Sequence, residues 1–269
     1  MSDPSGHRSI ITLLTDFGPD SPYVASLKGV ILSLQPEAVL VDLSHSIRPQ
    51  EVRQAAWVLA EAAPCFPPDT IHVAVVDPGV GTCRAIVYAA MAGQHFIAPD
   101  NGLLSLLADR HRPTRLVRLD NPAFWRAEVS RTFHGRDIMA PVAAHLSRGV
   151  AADRLGSPQE SLVRIDWPRP RQEAHRTVGQ VVWIDSFGNL ITNLGREFIE
   201  RVPPRNAARV HWQGTREAEL VQTYGDAPPG TLLALVGSGG WLELAVAGGS
   251  AAGELDAAPG DQVVITWTD

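Results

Sequence analysis

The chain has 269 residues, of which 45% are hydrophobic and 19% charged, and this leaves room for a large core in one or two globular domains. Its formal net charge of −6 comes without a long basic run, so the composition argues against a nucleic-acid partner. The sequence has neither a long apolar stretch nor a charged N-terminal segment followed by an apolar one; we therefore expect no membrane span and no secretion signal, and we place the protein in the cytoplasm.

Strand and helix patterns alternate through the first half of the chain. Residues 10–14 are an apolar run typical of a buried strand, and the turn-forming residues 15–19 follow it. Apolar residues then recur at three- and four-residue spacing as far as residue 34, just before Pro36, which predicts a helix. This order is that of a strand, loop and helix unit.

The same order returns further along the chain. Residues 39–43 predict a second strand, residues 50–62 an alanine-rich helix and residues 71–76 a third strand, which ends on the loop of residues 77–81. Such alternation predicts a parallel sheet with helices on its faces. Beyond it we expect a hairpin and two helices: residues 85–90 with 95–98, residues 102–108 and residues 138–146.

The character of the sequence changes after residue 156. Residues 157–175 are polar and contain several prolines, as expected of a linker. Short β-rich runs separated by glycine- and proline-rich turns follow: residues 178–184, 208–212, 232–236, 241–246 and 262–267. We predict an α/β domain with a mostly parallel sheet over residues 1–156, and a small all-β, antiparallel barrel-like domain over residues 176–269.

Three polar loops lie where a parallel sheet gathers its ligands, at the carboxyl ends of strands: residues 15–18, 77–84 and 133–137. In the first, Asp16 either caps the following helix or accepts hydrogen bonds from both hydroxyls of a ribose. The second contains Gly79 and Gly81 but lacks the third glycine of a dinucleotide fingerprint and the Gly-Lys-Ser/Thr of a P-loop, which argues against a phosphate site.

The charged residues of the other two loops also allow two interpretations. Asp77 and Arg84 either form a structural ion pair across a tight loop or belong to a reactive site. His134 is either a histidine satisfied in the core or at a helix end, or a group that handles a proton. The residue types alone leave these alternatives open.

Six short motifs, in this order, resemble those of the S-adenosylmethionine hydrolases (hydroxide adenosyltransferases), relatives of the bacterial fluorinase and chlorinase, and the resemblance extends over essentially the whole chain. The motifs are Thr15-Asp16-Phe17-Gly18 with Tyr23-Val24 and Lys28-Gly29, Val76-Asp77-Pro78-Gly79-Val80-Gly81-Thr82, Pro99-Asp100-Asn101-Gly102, Phe133-His134-Gly135-Arg136-Asp137, Asp185-Ser186-Phe187-Gly188-Asn189, and Gly237-Ser238 with Leu242-Glu243. No single motif is decisive, but their common order makes chance agreement very improbable.

The resemblance implies hydrolysis of S-adenosylmethionine at the 5′ carbon, which gives adenosine and methionine. It implies that Asp16 holds the ribose diol and that Asp77, Arg84 and His134 act on the attacking water. Asp77 and His134 are the members of this set that can accept a proton, because arginine does not give its proton up. Which of the two accepts it stays open. S-Adenosylmethionine is the substrate, and no cofactor or metal is implied.

In the second domain the resemblance implies contacts to the rest of the substrate: Asp185 to the methionine ammonium, Phe187 and Asn189 to the adenine, and Ser238 to the methionine carboxylate. Phe133 and a backbone contact at Ala251 complete the substrate-binding set. The family is trimeric, and each site lies between the N-terminal domain of one subunit and the C-terminal domain of the next. The resemblance therefore implies a homotrimer whose partner is a small-molecule substrate.

Four positions depart from the relatives' pattern. Ser21 stands where relatives often carry an aspartate, and Gly239 where the halogenating relatives carry an arginine, so carboxylate contacts beyond Ser238 are not assigned. Val80 and Gly135 stand where the halogenating relatives place hydroxyl side chains beside the halide. A halide that finds no such donors in a dry pocket loses roughly several kcal/mol of solvation free energy. This favours water as the nucleophile.

Three other functions compete with hydrolysis. Halide transfer and a non-catalytic S-adenosylmethionine sensor would use the same pocket, although the set of Asp77, Arg84 and His134 argues against the sensor. Metal-dependent hydrolysis lacks a compact ligand motif such as His-Glu-x-x-His. Cys65 and Cys83 also lack a paired ligand spacing, and we expect them to be buried or semi-exposed free thiols.

Overall fold

The computed structural model describes residues 9–202 and 208–268. The chain divides into two compact units, residues 1–166 and 167–269. The stretch predicted as a linker takes part in both sheets, since Ser157–Pro158 pairs with a strand of the first unit and Arg171–Gln172 with a strand of the second. No helix among the described residues is both long enough and apolar enough to span a bilayer.

The first unit is built on a seven-stranded sheet with the order β2-β1-β3-β5-β4-β6-β7. Its strands are β1 (Ile10–Thr15), β2 (Val39–Ser44), β3 (Ile71–Val75), β4 (Ile86–Met91), β5 (Gln94–Pro99), β6 (Arg115–Arg118) and β7 (Ser157–Pro158). The strands β2, β1, β3 and β5 are parallel, and the remaining pairs are antiparallel. The expected hairpin is the β4–β5 pair, which turns at Ala92 and Gly93, both with positive φ.

Within the described residues, four α-helices accompany this sheet: α1 (Pro22–Leu34), α2 (Val52–Ala62), α3 (Ser105–Arg110) and α4 (Ala140–Ser147). A single π-turn, Gly135–Met139, leads directly into α4. Helix α1 packs on α4, and α2 packs on α3. The core of this unit is mainly aliphatic, with Leu13, Leu27 and Val73 among its buried members.

The strand order places the loops after β1 and β3 side by side. The chain leaves β1 for β2 on one side and returns to β3 on the other, so the sheet has its switch point between β1 and β3, where α/β sheets bind ligands. Thr15 and Val75 are paired partners at the ends of these strands. Asp16 and Asp77 therefore follow neighbouring strands at the same edge of the sheet.

The second unit is a β-barrel. Its strands are β8 (Arg171–Gln172), β9 (Arg176–Ile184), β10 (Leu190–Gly195), β11 (Ala208–Trp212), β12 (Arg216–Leu220), β13 (Leu232–Val236), β14 (Trp241–Val246) and β15 (Gln262–Trp267), and its helices are α5 (Arg196–Ile199) and α6 (Ala251–Leu255). The order β10-β14-β13-β12-β11-β15-β9 closes because β9 also pairs with β10, and β8 lies outside the ring on β9. All pairs in the ring except β12–β13 are antiparallel.

The structure confirms the predicted fold class and corrects some details. The sequence interpretation missed β6, β10 and β12 and the two short helices of the barrel. The predicted helix of residues 138–146 is divided into a π-turn and an α-helix. Cys65 and Cys83 are free thiols as expected, but both are exposed: Cys65 ends the short 3₁₀-helix Ala63–Cys65, and Cys83 lies in a loop.

Candidate active site

Asp16 lies in the loop between β1 and α1, and it does not cap the helix. Ser21 caps α1 by accepting a hydrogen bond from the Tyr23 amide, so the capping interpretation of Asp16 is wrong. Asp16 Oδ2 instead accepts a 2.8 Å hydrogen bond from the backbone amide of Gln50. Gln50 has a φ of 66°, a left-handed conformation that is rare for a residue with a side chain. The loop after β2 thus holds one oxygen of the carboxylate in place.

Asp77, Arg84 and His134 form one connected set in the first unit. Arg84 Nε lies 3.0 Å from both carboxylate oxygens of Asp77, and Arg84 Nη2 makes a short ion pair with Oδ2. The same Nη2 lies 2.9 Å from His134 Nδ1. The side chains of Asp77 and Arg84 are only 6% and 11% exposed. The structural ion pair considered for the loop is therefore formed, and it includes the histidine of another loop.

The partner of His134 fixes which ring nitrogen can carry a proton. A guanidinium only donates hydrogen bonds, so Nδ1 must accept, and a neutral ring then carries its proton on Nε2. Burial lowers the pKa of His134, the charge of Arg84 lowers it further, and the carboxylates of Asp77 and Asp137 oppose the shift. His134 makes no side-chain cap at the helix that follows it, so the interpretation of His134 as a helix-capping residue is wrong.

The π-turn that begins after His134 is anchored by a buried carboxylate. Asp137 accepts hydrogen bonds from the side chains of Arg126 and Arg136 and from the Ser130 amide, at 2.7–3.0 Å. Burial would raise the pKa of Asp137, but these hydrogen bonds outweigh it and hold the pKa below its ordinary value. Single π-turns inside helices often occur at functional sites, and this one fixes the loop that carries His134.

Phe133 belongs to an aromatic cluster beside this set. Its ring lies edge-on to Phe17 and Tyr23, with centroid distances of 5.7 and 5.2 Å, and Phe17 is 5.7 Å from Tyr23. The guanidinium of Arg136 lies 4.8 Å from the Phe133 centroid. The cluster joins the loop after β1 to the loop before α4, which are the loops that carry Asp16 and His134.

The second unit contains a pocket of about 810 Å³, large enough for a nucleoside with a side chain. It holds four of the residues expected to contact substrate: Asp185, Phe187, Asn189 and Ser238. Phe187 is 76% exposed although it is a large apolar side chain. An exposed phenyl ring at the mouth of a pocket is suited to stack on a flat ligand.

Asp185 builds the turn that presents Phe187. Its Oδ1 accepts hydrogen bonds from the amides of Phe187 and Asn189, and its Oδ2 accepts one from Asn189 Nδ2. Two carboxylate oxygens offer about four acceptor positions, so Oδ2 keeps one for a ligand. Gly188 in the same turn has a φ of 83°, and a Cβ there would lie 2.0 Å from Ser250 Oγ. The turn therefore requires glycine and packs on the start of α6.

Two further polar residues of the pocket were given no role by the sequence interpretation. Glu243 is buried and accepts a 2.8 Å hydrogen bond from the hydroxyl of Tyr224. Burial raises the pKa of Glu243, and the charge of Asp185 acts in the same direction, whereas the Tyr224 hydrogen bond opposes them. An acid inside an apolar strand was a visible signal for Glu243, but Tyr224 lies in a polar turn and had none.

Ala251 is the expected site residue that the pocket leaves out. Its side chain is 0% exposed and packs in the barrel core at the start of α6. Gly248 and Gly249, which precede it, line the pocket instead. Among the residues that the structure describes, no group of three or more histidine, cysteine, aspartate and glutamate side chains is arranged to hold a metal ion.

The two units match two family models. The SAM hydroxide adenosyltransferase N-terminal domain matches residues 11–156, and the corresponding C-terminal domain matches residues 179–264. A protein of Salinispora tropica named (R)-S-adenosyl-L-methionine hydrolase is 40% identical over 95% of this chain and 97% of its own length. A protein of the same name from Thermus thermophilus is 39% identical over 90% and 93%.

More distant and structural relatives agree with these matches. A fluorinase of Nocardia brasiliensis is 28% identical over 91% of this chain and 92% of its own length. The crystal structure of an uncharacterized conserved protein from Thermotoga maritima superposes with a TM-score of 0.90 at 36% identity, and it covers 95% of this chain and 99% of that one. The similarity therefore includes both units and the order in which they occur.

Proposed function

The chain belongs to the SAM hydroxide adenosyltransferase family, and on this premise we propose that it is an enzyme that hydrolyses S-adenosyl-L-methionine at C5′ to adenosine and L-methionine. The observation that carries the proposal is the connected set of Asp77, Arg84 and His134 at the carboxyl edge of the sheet. The hydrolases among its relatives are named for the (R) form, and we include that sulfonium epimer as a substrate.

The reaction replaces a sulfonium leaving group by water. The water oxygen attacks C5′, the C5′–S bond breaks, its electron pair stays on sulfur as the thioether of methionine, and the water loses a proton. Full ionisation of that water at neutral pH would require about 12 kcal/mol, from a pKa of about 15.7 and about 1.36 kcal/mol per pH unit. Proton removal during the attack avoids this intermediate.

We assign the proton acceptor to Asp77. Arg84 occupies about three of the four acceptor positions of its carboxylate, which leaves one on Oδ1 for the water. His134 cannot accept at Nε2 in the tautomer that Arg84 selects, so it donates from Nε2 to a lone pair of the water and orients it. Arg84 fixes the geometry of both.

The remaining substrate contacts are divided between the residues of the two units. Asp16 accepts hydrogen bonds from the ribose diol with Oδ1, the oxygen that the Gln50 amide leaves free. Phe133 packs on the apolar side of the reacting carbon. In the barrel, Phe187 and Asn189 take the adenine, Asp185 the ammonium and Ser238 the methionine carboxylate. Gly248 and Gly249 supply the backbone contact for which Ala251 is too deeply buried. We propose a homotrimer in which each site combines the two halves from neighbouring subunits.

Water, and not halide, is the proposed nucleophile. Gly135 is buried, and a Cβ at this position would lie 2.8 Å from Val75 Cγ1, so there is no space for a hydroxyl side chain there. A halide would therefore find no hydroxyl donor at position 135 and would face the negative charge of Asp77.

Incubation with S-adenosyl-L-methionine in oxygen-18 water tests the proposal. We expect adenosine that carries one labelled oxygen at C5′ and an equal amount of methionine, from one or both sulfonium epimers. Binding without turnover would instead indicate a sensor. A 5′-halo-nucleoside formed in high chloride or fluoride would identify a halide transferase and overturn the assignment.

A further inference from the structure

His45 contacts the loop of Asp16 on both sides of the carboxylate. It is buried and lies in the loop that follows β2. Its ring nitrogen Nδ1 is 2.9 Å from the hydroxyl of Thr15, the residue before Asp16. Its carbonyl oxygen accepts a 2.9 Å hydrogen bond from the amide of Gly18, two residues after Asp16. One residue thus fastens both ends of the turn that presents the carboxylate.

Further contacts hold His45 itself in place. Thr15 Oγ1 also accepts from the Phe17 amide at 3.3 Å, so its single proton is free to point at His45 Nδ1. The other ring nitrogen, Nε2, is buried and lies 3.0 Å from Asp42 Oδ1, off the axis of a straight hydrogen bond. Asp42 in turn pairs with Lys28 Nζ at 2.6 Å. These contacts link the Lys28-Gly29 motif of α1 to the Asp16 loop.

We propose that His45 is the positioning residue of the ribose-binding carboxylate, an inference that rests on the proposed function of Asp16. A carboxylate that accepts from two neighbouring hydroxyls must be held to within roughly 0.5 Å, and supporting contacts are what supply such precision. Among the described hydrogen bonds, the Asp16 carboxylate accepts only the one from the Gln50 amide. The rest of its placement comes from the turn that His45 fastens.

The consequence is specific to the diol. Loosening the turn removes the two ribose hydrogen bonds and leaves the other substrate contacts unchanged. Substitution of His45 should therefore weaken the binding of ligands that carry the 2′- and 3′-hydroxyls. The binding of ligands that lack these hydroxyls should be unchanged. If His45 had a purely structural role in the fold, its substitution would weaken the binding of both kinds of ligand alike.

The experiment compares adenosine with 2′,3′-dideoxyadenosine by titration calorimetry. The proteins are the full-length chain, His45→Gln and Thr15→Val, with Asp16→Ala to define the complete loss and His145→Gln as a matched histidine control on α4. Thr15→Val removes the hydroxyl that His45 contacts and leaves the histidine, so it tests the same link if His45→Gln folds poorly. Thermal melts establish that each protein is folded.

We expect the wild type and His145→Gln to prefer adenosine by about tenfold or more, which corresponds to about 1.4 kcal/mol. His45→Gln and Thr15→Val should lose most of this preference, while their affinity for the dideoxy ligand stays within about twofold of wild type. Folded variants with the full preference would overturn the role of His45. If the wild type has no preference, or Asp16→Ala keeps it, the ribose role of Asp16 fails and this inference fails with it.

Discussion

At the scale of single residues, the direction of the hydrogen bonds gives Asp77 and His134 different roles, although both side chains can accept a proton in water. Arg84 donates to Asp77 and to His134 with the same guanidinium. Because it can only donate, it leaves Asp77 as an acceptor with one free position and sets the His134 ring so that its outward nitrogen carries a proton. In the proposed mechanism, one ion pair thereby orders the proton acceptor and the hydrogen-bond donor around a single water.

We predict that Asp77→Asn lowers kcat by about 10²–10⁴, the usual contribution of a general base, and leaves the affinity for S-adenosylmethionine within a few-fold. The amide keeps the shape of the side chain but cannot take the proton. Single-turnover kinetics beside calorimetric binding measure the two effects. Asp153→Asn, which alters an exposed ion pair with Arg115, is the control, and near-normal turnover in Asp77→Asn would contradict the assignment.

The pH dependence tests the state of His134. Its lowered pKa, caused by burial and then by Arg84, keeps the ring neutral at neutral pH. Protonation would place an N–H on Nδ1 against the Arg84 donor, so kcat/KM should stay level from neutrality through the ordinary histidine pKa of about 6.5 and fall only at lower pH. In His134→Gln this acid limb should disappear or move to lower pH. Activity that rises on acidification would show that the charged ring is the working form.

The sequence predicted the charged residues of the site but not their surroundings. Asp77, Arg84 and His134 were visible because they stand in polar loops at strand ends. The tautomer of His134 depends on a contact across 50 residues, and the role of His45 depends on two contacts made across the turn of Asp16. Local pattern carries no information about such contacts. Ala251 was chosen by position in a motif, and the burial that removes it from the pocket is a property of the folded barrel.

At the scale of elements, sequence patterns predicted a helix with one apolar face and a strand with a continuous apolar run, and they failed where buried polar residues interrupt the run. Helix α1 and strand β3 followed directly from their patterns. Strand β10 was missed because the buried polar residues Thr192 and Asn193 interrupt its apolar run, so its sequence shows neither a continuous apolar run nor a regular alternation. The π-turn was missed because its extra residue per turn is set by Asp137 and its arginines and not by hydrophobic spacing.

We predict opposite effects of the same substitution at two glycines of the first unit. Gly135→Ala places a Cβ 2.8 Å from Val75 Cγ1 at the start of the π-turn and should lower the free energy of unfolding by about 1–3 kcal/mol. Gly29→Ala lies in α1 with nothing within 4 Å of the new Cβ and should raise it by about 0.5–1 kcal/mol. Urea denaturation measures both, and an unchanged Gly135→Ala would show that position 135 has space for a side chain.

At the scale of the whole molecule, the expected substrate contacts divide cleanly between the two units. The ribose carboxylate and the water-handling set belong to the α/β unit, and the adenine and methionine contacts belong to the barrel pocket. In the proposed function, neither unit by itself contacts both the reacting carbon and the rest of the substrate. The proposal that neighbouring subunits complete each other's sites therefore has a direct test in mixed assemblies.

We predict that Asp16→Ala and Asp185→Ala subunits, each inactive alone, recover activity when they are co-expressed and purified together through two different tags. In a ring of three, a site between subunits is intact when an Asp185→Ala chain supplies the α/β unit and an Asp16→Ala chain supplies the barrel. Every trimer that carries both tags contains one or two copies of each chain, and this arrangement then occurs at one of its three interfaces, so activity should approach about a third of wild type. A site built within one chain has no intact arrangement in such mixtures. Mixed assemblies without activity, or an active monomer by light scattering, would refute the shared site.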